Sequence, residues 1–270
     1  AHVLYRGEAP TQGGGYFHPV VVVGGDALRG SQRQRMITAD ETFGPVAAVV
    51  PVHDDEEAIA AFARQVDAVT FEFENVPAIA GSVAARHTLV RPHGSLLHTV
   101  QDRTREKEGL VAIGLPVAPF EAIAAASDLA AARERIPGEG VLKTSSFGYD
   151  GKGQARIQSG AELAAAWRGL GEVPCVLEEL VPFEEEISVI VARGVTGDVA
   201  IYEPFANEHT NHILDVTTCP AGLEPSVALE VERIARAVVE GLDVVGVLCV
   251  ELFRLGDGTI LVNEVAPRPH

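Results

Sequence analysis

The sequence predicts an α/β protein whose second half becomes α+β, and three observations carry that reading. Short β-branched apolar runs alternate with Ala-rich amphipathic segments, the pattern of sheets covered by helices. In the first ninety residues the runs are separated by helical stretches, so the strands there read as parallel. From about residue 174 onward the runs follow one another closely, with turn signals at Thr196-Gly197 and Gly256-Asp257-Gly258. That spacing belongs to an antiparallel sheet.

Taken in order, strands are predicted at 20–23 (VVVV), 46–50 and 67–73 (DAVTFEF), then at 140–143, 174–179, 185–193, 198–203, 245–253 and 259–264. Helices are predicted at 55–65, 104–113, 127–135, 160–169 and 225–241. Asp54 with Glu57, and Ser159 with Glu162, have the spacing of a capping box at two of these starts. Residues 26–44 are polar without periodicity and predict no element. Gly13-Gly14-Gly15 and Gly24-Gly25 do not make G-x-G-x-x-G, so a dinucleotide fingerprint is not supported. The change of style divides the chain into an N-terminal α/β domain (1–95, with a soft boundary near Pro92), a small lobe (96–177) and a larger antiparallel lobe (178–270).

A chain of 270 residues is long enough for two or three packed units. Its formal net charge of −17 argues against a nucleic-acid partner or an anionic membrane surface, both of which demand clustered Lys and Arg. A small anionic substrate would need a local basic pocket. Cys175, Cys219 and Cys249 are odd in number and contain no C-x-x-C, which fits reduced thiols better than disulfides or zinc. No apolar run is long enough for a transmembrane helix, and the N-terminus lacks the order of a signal peptide. The expectation is a cytoplasmic protein.

Two stretches carry chemistry. "KTSSFGYDGKGQ" (143–154) places three glycines and two lysines directly after a strand-like run. Such a loop can lay backbone N–H groups and an ammonium over a phosphate, though an ordinary hairpin loop is the other reading. "EELVPFEEE" (178–186) holds five glutamates interleaved with Leu180, Val181 and Phe183. It reads either as a solvated acidic edge or as a partly buried crossing between strands. Acids recur at Glu251 and Glu264 on two later strands, and by alternation Glu251 shares a face with Val245, Val247, Cys249 and Phe253. An acid on an apolar face needs a partner, either magnesium or a buried Lys or Arg, and Asn263 could add a neutral oxygen. A nucleotide triphosphate held between two sheets would use all of these groups.

These motifs, with "FEFENVP" (71–77), "QDR" and "EKE" (101–108), "VGVLCVELF" (245–253) and "LVNEVAPRPH" (261–270), resemble the N5-carboxyaminoimidazole ribonucleotide synthetase family of ATP-grasp enzymes. The resemblance covers residue 54 to the last residue. It implies an ATP-grasp fold behind an N-terminal pre-ATP-grasp domain. It further implies ATP- and bicarbonate-dependent carboxylation of 5-aminoimidazole ribonucleotide through carboxyphosphate, in purine biosynthesis, with magnesium and as a homodimer. Another ATP-grasp carboxylase or ligase, or a non-catalytic ATP-binding module, is the alternative.

By similarity, Arg103 and Lys143 would meet the ATP phosphates, under a flap of Gly148, Tyr149, Asp150, Gly151, Lys152, Gly153 and Gln154. Glu178, Glu179, Leu180 and Val181 would border the adenine, Glu186 would take the ribose hydroxyls, and His209 would line the nucleotide pocket. Glu251 and Glu264 would hold magnesium, with Asn263 beside them. Glu72, Tyr149, Asp150, Arg268 and His270 would form the ribonucleotide and bicarbonate side, with Lys152 and Arg268 as the catalytic cations. Glu72 and Glu74 are expected on one face of a strand, across a cleft from Arg268 and His270. The chain departs from the family at both ends. Only "GGG" (13–15) or "GSQRQRM" (30–36) echo the family's "GGGQLGRM", and the family continues past His270 through "NSGH".

Overall fold

The computed structural model describes residues 2–6, 20–23, 55–72, 74, 76–146, 153–210 and 213–269. The sequence readings at 13–15, 24–44, 46–50 and Asp54, most of the glycine flap (147–152) and His270 lie outside the described residues. The chain divides into two compact units, residues 1–58 and 59–270. In the first, β1 (His2–Arg6) and β2 (Val20–Val23) pair antiparallel. The expectation of parallel strands is corrected there, because the pattern gave no sign of the strand at 2–6 that β2 pairs with. Helix α1 (Asp55–Ala63) follows.

The second unit opens with β3 (Ala68–Val69), α2 (Ala78–Ala84), β4 (Leu89–Val90) and α3 (Gly94–Val100). Here β3 and β4 are parallel, as a βαβ connection requires. The strand expected over 67–73 lasts two residues, so Glu72 and Glu74 sit in the loop beyond its end and not on a strand face. The two short helices were not foreseen, since seven residues give little periodicity. They cross at a glycine pair: a Cβ on Gly81 would lie 2.9 Å from the Gly94 Cα.

Helix α4 (Arg103–Ala112) is capped by Asp102, whose carboxylate accepts from the Arg105 N–H at 3.0 Å. Next come β5 (Phe120–Ile123), a single 3-10 turn (Ala126–Asp128), α5 (Leu129–Arg135), β6 (Gly140–Thr144), β7 (Gln154–Ile157), α6 (Gly160–Gly169) and β8 (Cys175–Glu179). These strands form a four-stranded sheet, ordered β5-β8-β6-β7 and antiparallel throughout. Within the second unit, antiparallel pairing therefore begins near residue 120 and not 174, because four-residue strands such as FEAI and QARI carry too short an alternation to read. Leu142, Ile157 and Leu177 pack under α5 and α6 against Leu163 and Trp167. The Ser159 cap of α6 is made as expected, its hydroxyl accepting from the Glu162 N–H at 3.2 Å.

The larger sheet contains β9 (Phe183–Arg193), β10 (Val199–Ile201), β11 (Phe205–Thr210) and β12 (Ile213–Thr218). After helix α7 (Pro225–Gly241) it is completed by β13 (Gly246–Leu255) and β14 (Ile260–Ala266). The order is β12-β11-β9-β13-β14, with β10 also on β9. The turns at Thr196-Gly197 and Gly256–Gly258 join β9 to β10 and β13 to β14, as expected. Strand β12 is exposed along all six residues, so burial left no alternation to mark it. Helix α7 buries Val231, Ile234, Ala235, Val238 and Val239, one stripe of spacing three and four. They meet Ile187, Val189 and Val191 of β9 and Leu248, Val250 and Leu252 of β13.

That choice of core face sends Cys249, Glu251 and Phe253 to the opposite face of β13. On β14 the pairing slips: Glu251 opposes Glu264, but Leu252 opposes Val262. Asn263 is thus an extra residue, a β-bulge, which reverses the alternation beyond it. Val262 and Val265 both reach the core, and Glu264 turns to the face of Glu251.

Gly246 opens β13 at φ +136, where a Cβ would sit 2.8 Å from the Pro92 nitrogen. Gly246→Ala is expected to lower the unfolding free energy by about 2 kcal/mol or more. Gly138→Ala, with no atom within 4 Å of its new methyl, should change it by less than about 0.5 kcal/mol. Urea unfolding midpoints compare the two, and equal midpoints would remove the steric argument.

Candidate functional site

The site is assembled on α4. Arg103, Glu106, Lys107 and Leu110 stand at i, i+3, i+4 and i+7, one stripe of the helix. Leu110 enters the core beneath the large sheet, while the three charged residues reach strands on both sheets. Arg103 donates to the Glu264 carboxylate of β14 at 2.8 Å. The Glu106 carboxylate accepts from the Val265 N–H at 2.6 Å. Lys107, with 1% of its side chain exposed, lies 3.3 Å from Glu178 of β8 and 3.5 Å from the Asn263 carbonyl of β14.

Glu178 also accepts from Lys143 of β6 at 3.1 Å. Burial would raise the Glu178 carboxyl, but Lys143 and Lys107 together hold it below the ordinary carboxylate range. Glu264 behaves alike: burial pushes it up, and Arg103 pulls it below its usual value. Glu106 goes the other way. Burial and the neighbouring charge of Glu264 push it up to about 8, against the pull of Arg103. It is therefore largely a neutral acid at pH 7.

On the large sheet, Glu186 of β9 lies 2.8 Å from the imidazole of His209 on β11. Burial raises the Glu186 carboxyl, and Glu251 and Glu264 raise it further against the pull of His209. These residues therefore share one electrostatic site. A pocket opens among Gln101, Arg103, Ser145, Glu74, Glu106 and Glu264. Glu74, one of its lining residues, accepts from Arg268 at 3.2 Å.

Seven of the sequence-derived residues are thus brought together: Arg103, Lys143, Glu178, Glu186, His209 and Glu264, with Glu251 opposite Glu264 in register. Gln154 pairs with Lys143 across β6 and β7, and Gly153 takes φ +74 at the flap's end, its carbonyl accepting from the Thr144 N–H at 2.8 Å. Leu180 and Val181 are half-buried where the chain passes between the sheets. Others stand apart. Glu179 is exposed at the end of β8. Glu72 is exposed as well, and Glu74 is the acid that meets Arg268, because the chain leaves strand geometry after Val69.

Glu264 has the second of the partners the sequence allowed, an arginine, though Arg103 is half-buried and not buried. Gln101, Glu106 and Lys107 were not singled out. For Glu106 and Lys107 the signal was a helical stripe carrying charge directly ahead of a buried leucine; Gln101 lies outside that stripe.

The ATP-grasp domain model matches residues 108–270, and the ribonucleotide synthetase preATP-grasp domain model matches residues 30–101. An N5-carboxyaminoimidazole ribonucleotide synthase of Brucella melitensis is 41% identical over 224 residues, 82% of this chain and 62% of that protein. The Bacillus subtilis synthase is 37% identical over 86% of this chain and 61% of its own. Among solved structures, an ADP complex of an N5-carboxyaminoimidazole ribonucleotide synthetase superposes with TM-score 0.77 at 33% identity, covering 92% of this chain and 69% of that one. The Aspergillus clavatus enzyme, solved with ADP and 5-aminoimidazole ribonucleotide, gives 0.75 at 25% identity over 88% and 61%.

The chain belongs to the ATP-grasp family and, within it, to the N5-carboxyaminoimidazole ribonucleotide synthetases. It spans about three fifths of the length of the curated relatives it matches.

Two outcomes are expected of the α4 stripe. Lys107→Ala leaves Glu178 buried with one cation fewer and should cost about 3 kcal/mol or more of unfolding free energy. A loss under about 1 kcal/mol would show that the pair is not held as drawn. For Glu106 the folded carboxyl titrates above its unfolded value, so the folded state binds the extra proton between about pH 4.5 and about pH 8. Wild-type stability relative to Glu106→Gln should fall as pH rises through that window, by roughly 1.4 kcal/mol per unit at most. A pH-independent difference in unfolding free energy would contradict it.

Proposed function

We propose that this chain binds ATP between its four-stranded and six-stranded antiparallel sheets and uses it, with bicarbonate, to carboxylate 5-aminoimidazole ribonucleotide. The observation that carries the reading is the convergence of Arg103, Lys107 and Lys143 with Glu178 and Glu264 where the four-stranded and six-stranded sheets approach. Phosphoryl transfer needs positioning and charge neutralisation more than a nucleophile, and such a set supplies both.

In this reading Lys143 and Arg103 meet the ATP phosphates, and the flap Gly148–Gln154 closes over them with Lys152. The connection Glu178–Val181 borders the adenine, and Glu186 and His209 take the ribose. Arg268 shelters carboxyphosphate on the substrate side, with Tyr149, Asp150 and His270. Glu74 joins that side through its ion pair with Arg268.

The pairing of Glu264 with Arg103 counts against Glu264 as a magnesium ligand, although the donor types fit that ion. Glu251 and Glu264 oppose each other in register, and the Asn263 Oδ1 is buried without a hydrogen-bond partner among the described residues. Two carboxylates and an amide oxygen are hard donors of the kind that ion takes. Once bound, it would neutralise phosphate charge. Arg103 would then share the Glu264 carboxylate or leave it.

The test is ADP release in the presence of ATP, magnesium and bicarbonate, with and without 5-aminoimidazole ribonucleotide. Strong stimulation by the ribonucleotide is expected, and Lys143→Ala should raise the KM for ATP about ten- to a hundredfold. ATP binding with no stimulated release would make this chain a nucleotide-binding module. Unchanged ATP affinity in Lys143→Ala would remove that lysine from the site.

A further inference from the structure

Glu74 reaches Arg268 from the connection between Val69, the end of β3, and Ala78, the start of α2. Its position is electrostatically unfavourable. Burial raises the Glu74 carboxyl, and the charges of Glu264 and Glu251 raise it further against the attraction of Arg268. A free loop would relax outward and carry Glu74 into water. The tether is Gln101. Its side-chain amide donates to the Glu74 carbonyl at 2.5 Å and also to the Val76 carbonyl. A primary amide has two N–H groups, and both are spent on backbone either side of one peptide pair.

Gln101 is itself rigidly held. Its N–H caps α3 on the Leu97 carbonyl at 3.0 Å, and the next residue, Asp102, caps α4. Two helix ends thus fix the amide, and the amide fixes the loop.

We infer that Gln101 is a positioning residue for the substrate side of the site, holding Glu74 against Arg268 while leaving the nucleotide side untouched. The inference rests on the function proposed above. No side-chain contact of Gln101 to Lys143, Glu178, Glu186 or His209 stands among the bonds of the described residues, so loss of its amide should divide the two halves of the site.

Gln101→Ala removes the tether, and Gln101→Glu keeps the shape but replaces two donors with acceptors. In both, the KM for 5-aminoimidazole ribonucleotide should rise at least about tenfold, while the Kd for ATP stays within about twofold. Amide exchange in residues 70–76 should accelerate, with helix α4 unchanged. A ribonucleotide KM that does not move, or ATP and ribonucleotide affinities that fall together, overturns the inference. So does unaltered exchange in the loop. If instead the wild-type chain shows no ribonucleotide-stimulated ADP release, the proposed function fails, and the exchange measurement alone then decides whether Gln101 pins the loop.

Discussion

Lys107 is a lysine with 1% of its side chain exposed, and an ammonium at that depth must be paired or the chain will not fold around it. Its partner is Glu178, itself 3% exposed, at the end of the four-stranded sheet. Its other contact is a carbonyl of the six-stranded sheet. One helical side chain therefore ties both sheets to α4, and the ends of β8 and β14 stay in register with the helix start. Replacing such a pair with apolar residues is often neutral for stability. What the pair fixes is position. Lys143 and Arg103 inherit theirs from it, since each is bonded to a carboxylate that the α4 stripe also touches or feels.

The second constraint is parity. A β-strand offers two faces, and α7 claims one face of the large sheet for Val, Ile and Leu. Whatever alternates with them must face the other way, which is where Glu186, Ser188 and Glu251 stand. Glu264 would belong to the core by counting from Val262, and the bulge at Asn263 corrects that by one residue. The same bulge leaves the Asn263 amide oxygen buried and unmatched among the described residues. A local defect in pairing thus brings two acids to one face and leaves a neutral oxygen buried on the residue next to Glu264.

Charge is distributed against the average of the chain. The molecule carries a formal −17, yet its site gathers Arg103, Lys107 and Lys143 around Glu178 and Glu264. The cations hold both carboxylates ionised in spite of burial, while Glu106, on the same helix stripe, is held neutral. An anionic substrate would meet a compensated interior within an acidic exterior.

Much of this was legible in the chain. The glycine-rich stretch after a strand, the interleaved glutamates at 178–186 and the acids at Glu251 and Glu264 came from residue chemistry and alternation. The family resemblance assigned them roles. Helices with long stripes or clear caps were found close to their ends, as at Gly160–Gly169 and Pro225–Gly241. Short strands at Phe120–Ile123 and Gln154–Ile157, and the exposed β12, were not found, because periodicity needs either length or burial to show itself.

The sequence by itself determined which local patterns exist: what can be strand or helix, where the turns fall, and where glycines, lysines and acids cluster. Only the tertiary structure decided who meets whom. That Glu74 and not Glu72 reaches Arg268 depends on where a strand stops. That Arg103 takes Glu264, and that Lys107 spans two sheets, depends on contacts 161 and 156 residues apart along the chain. Alternation and capping act over a few residues and leave a local record. Pairing of buried charges is settled by packing between distant segments, and no local pattern records it.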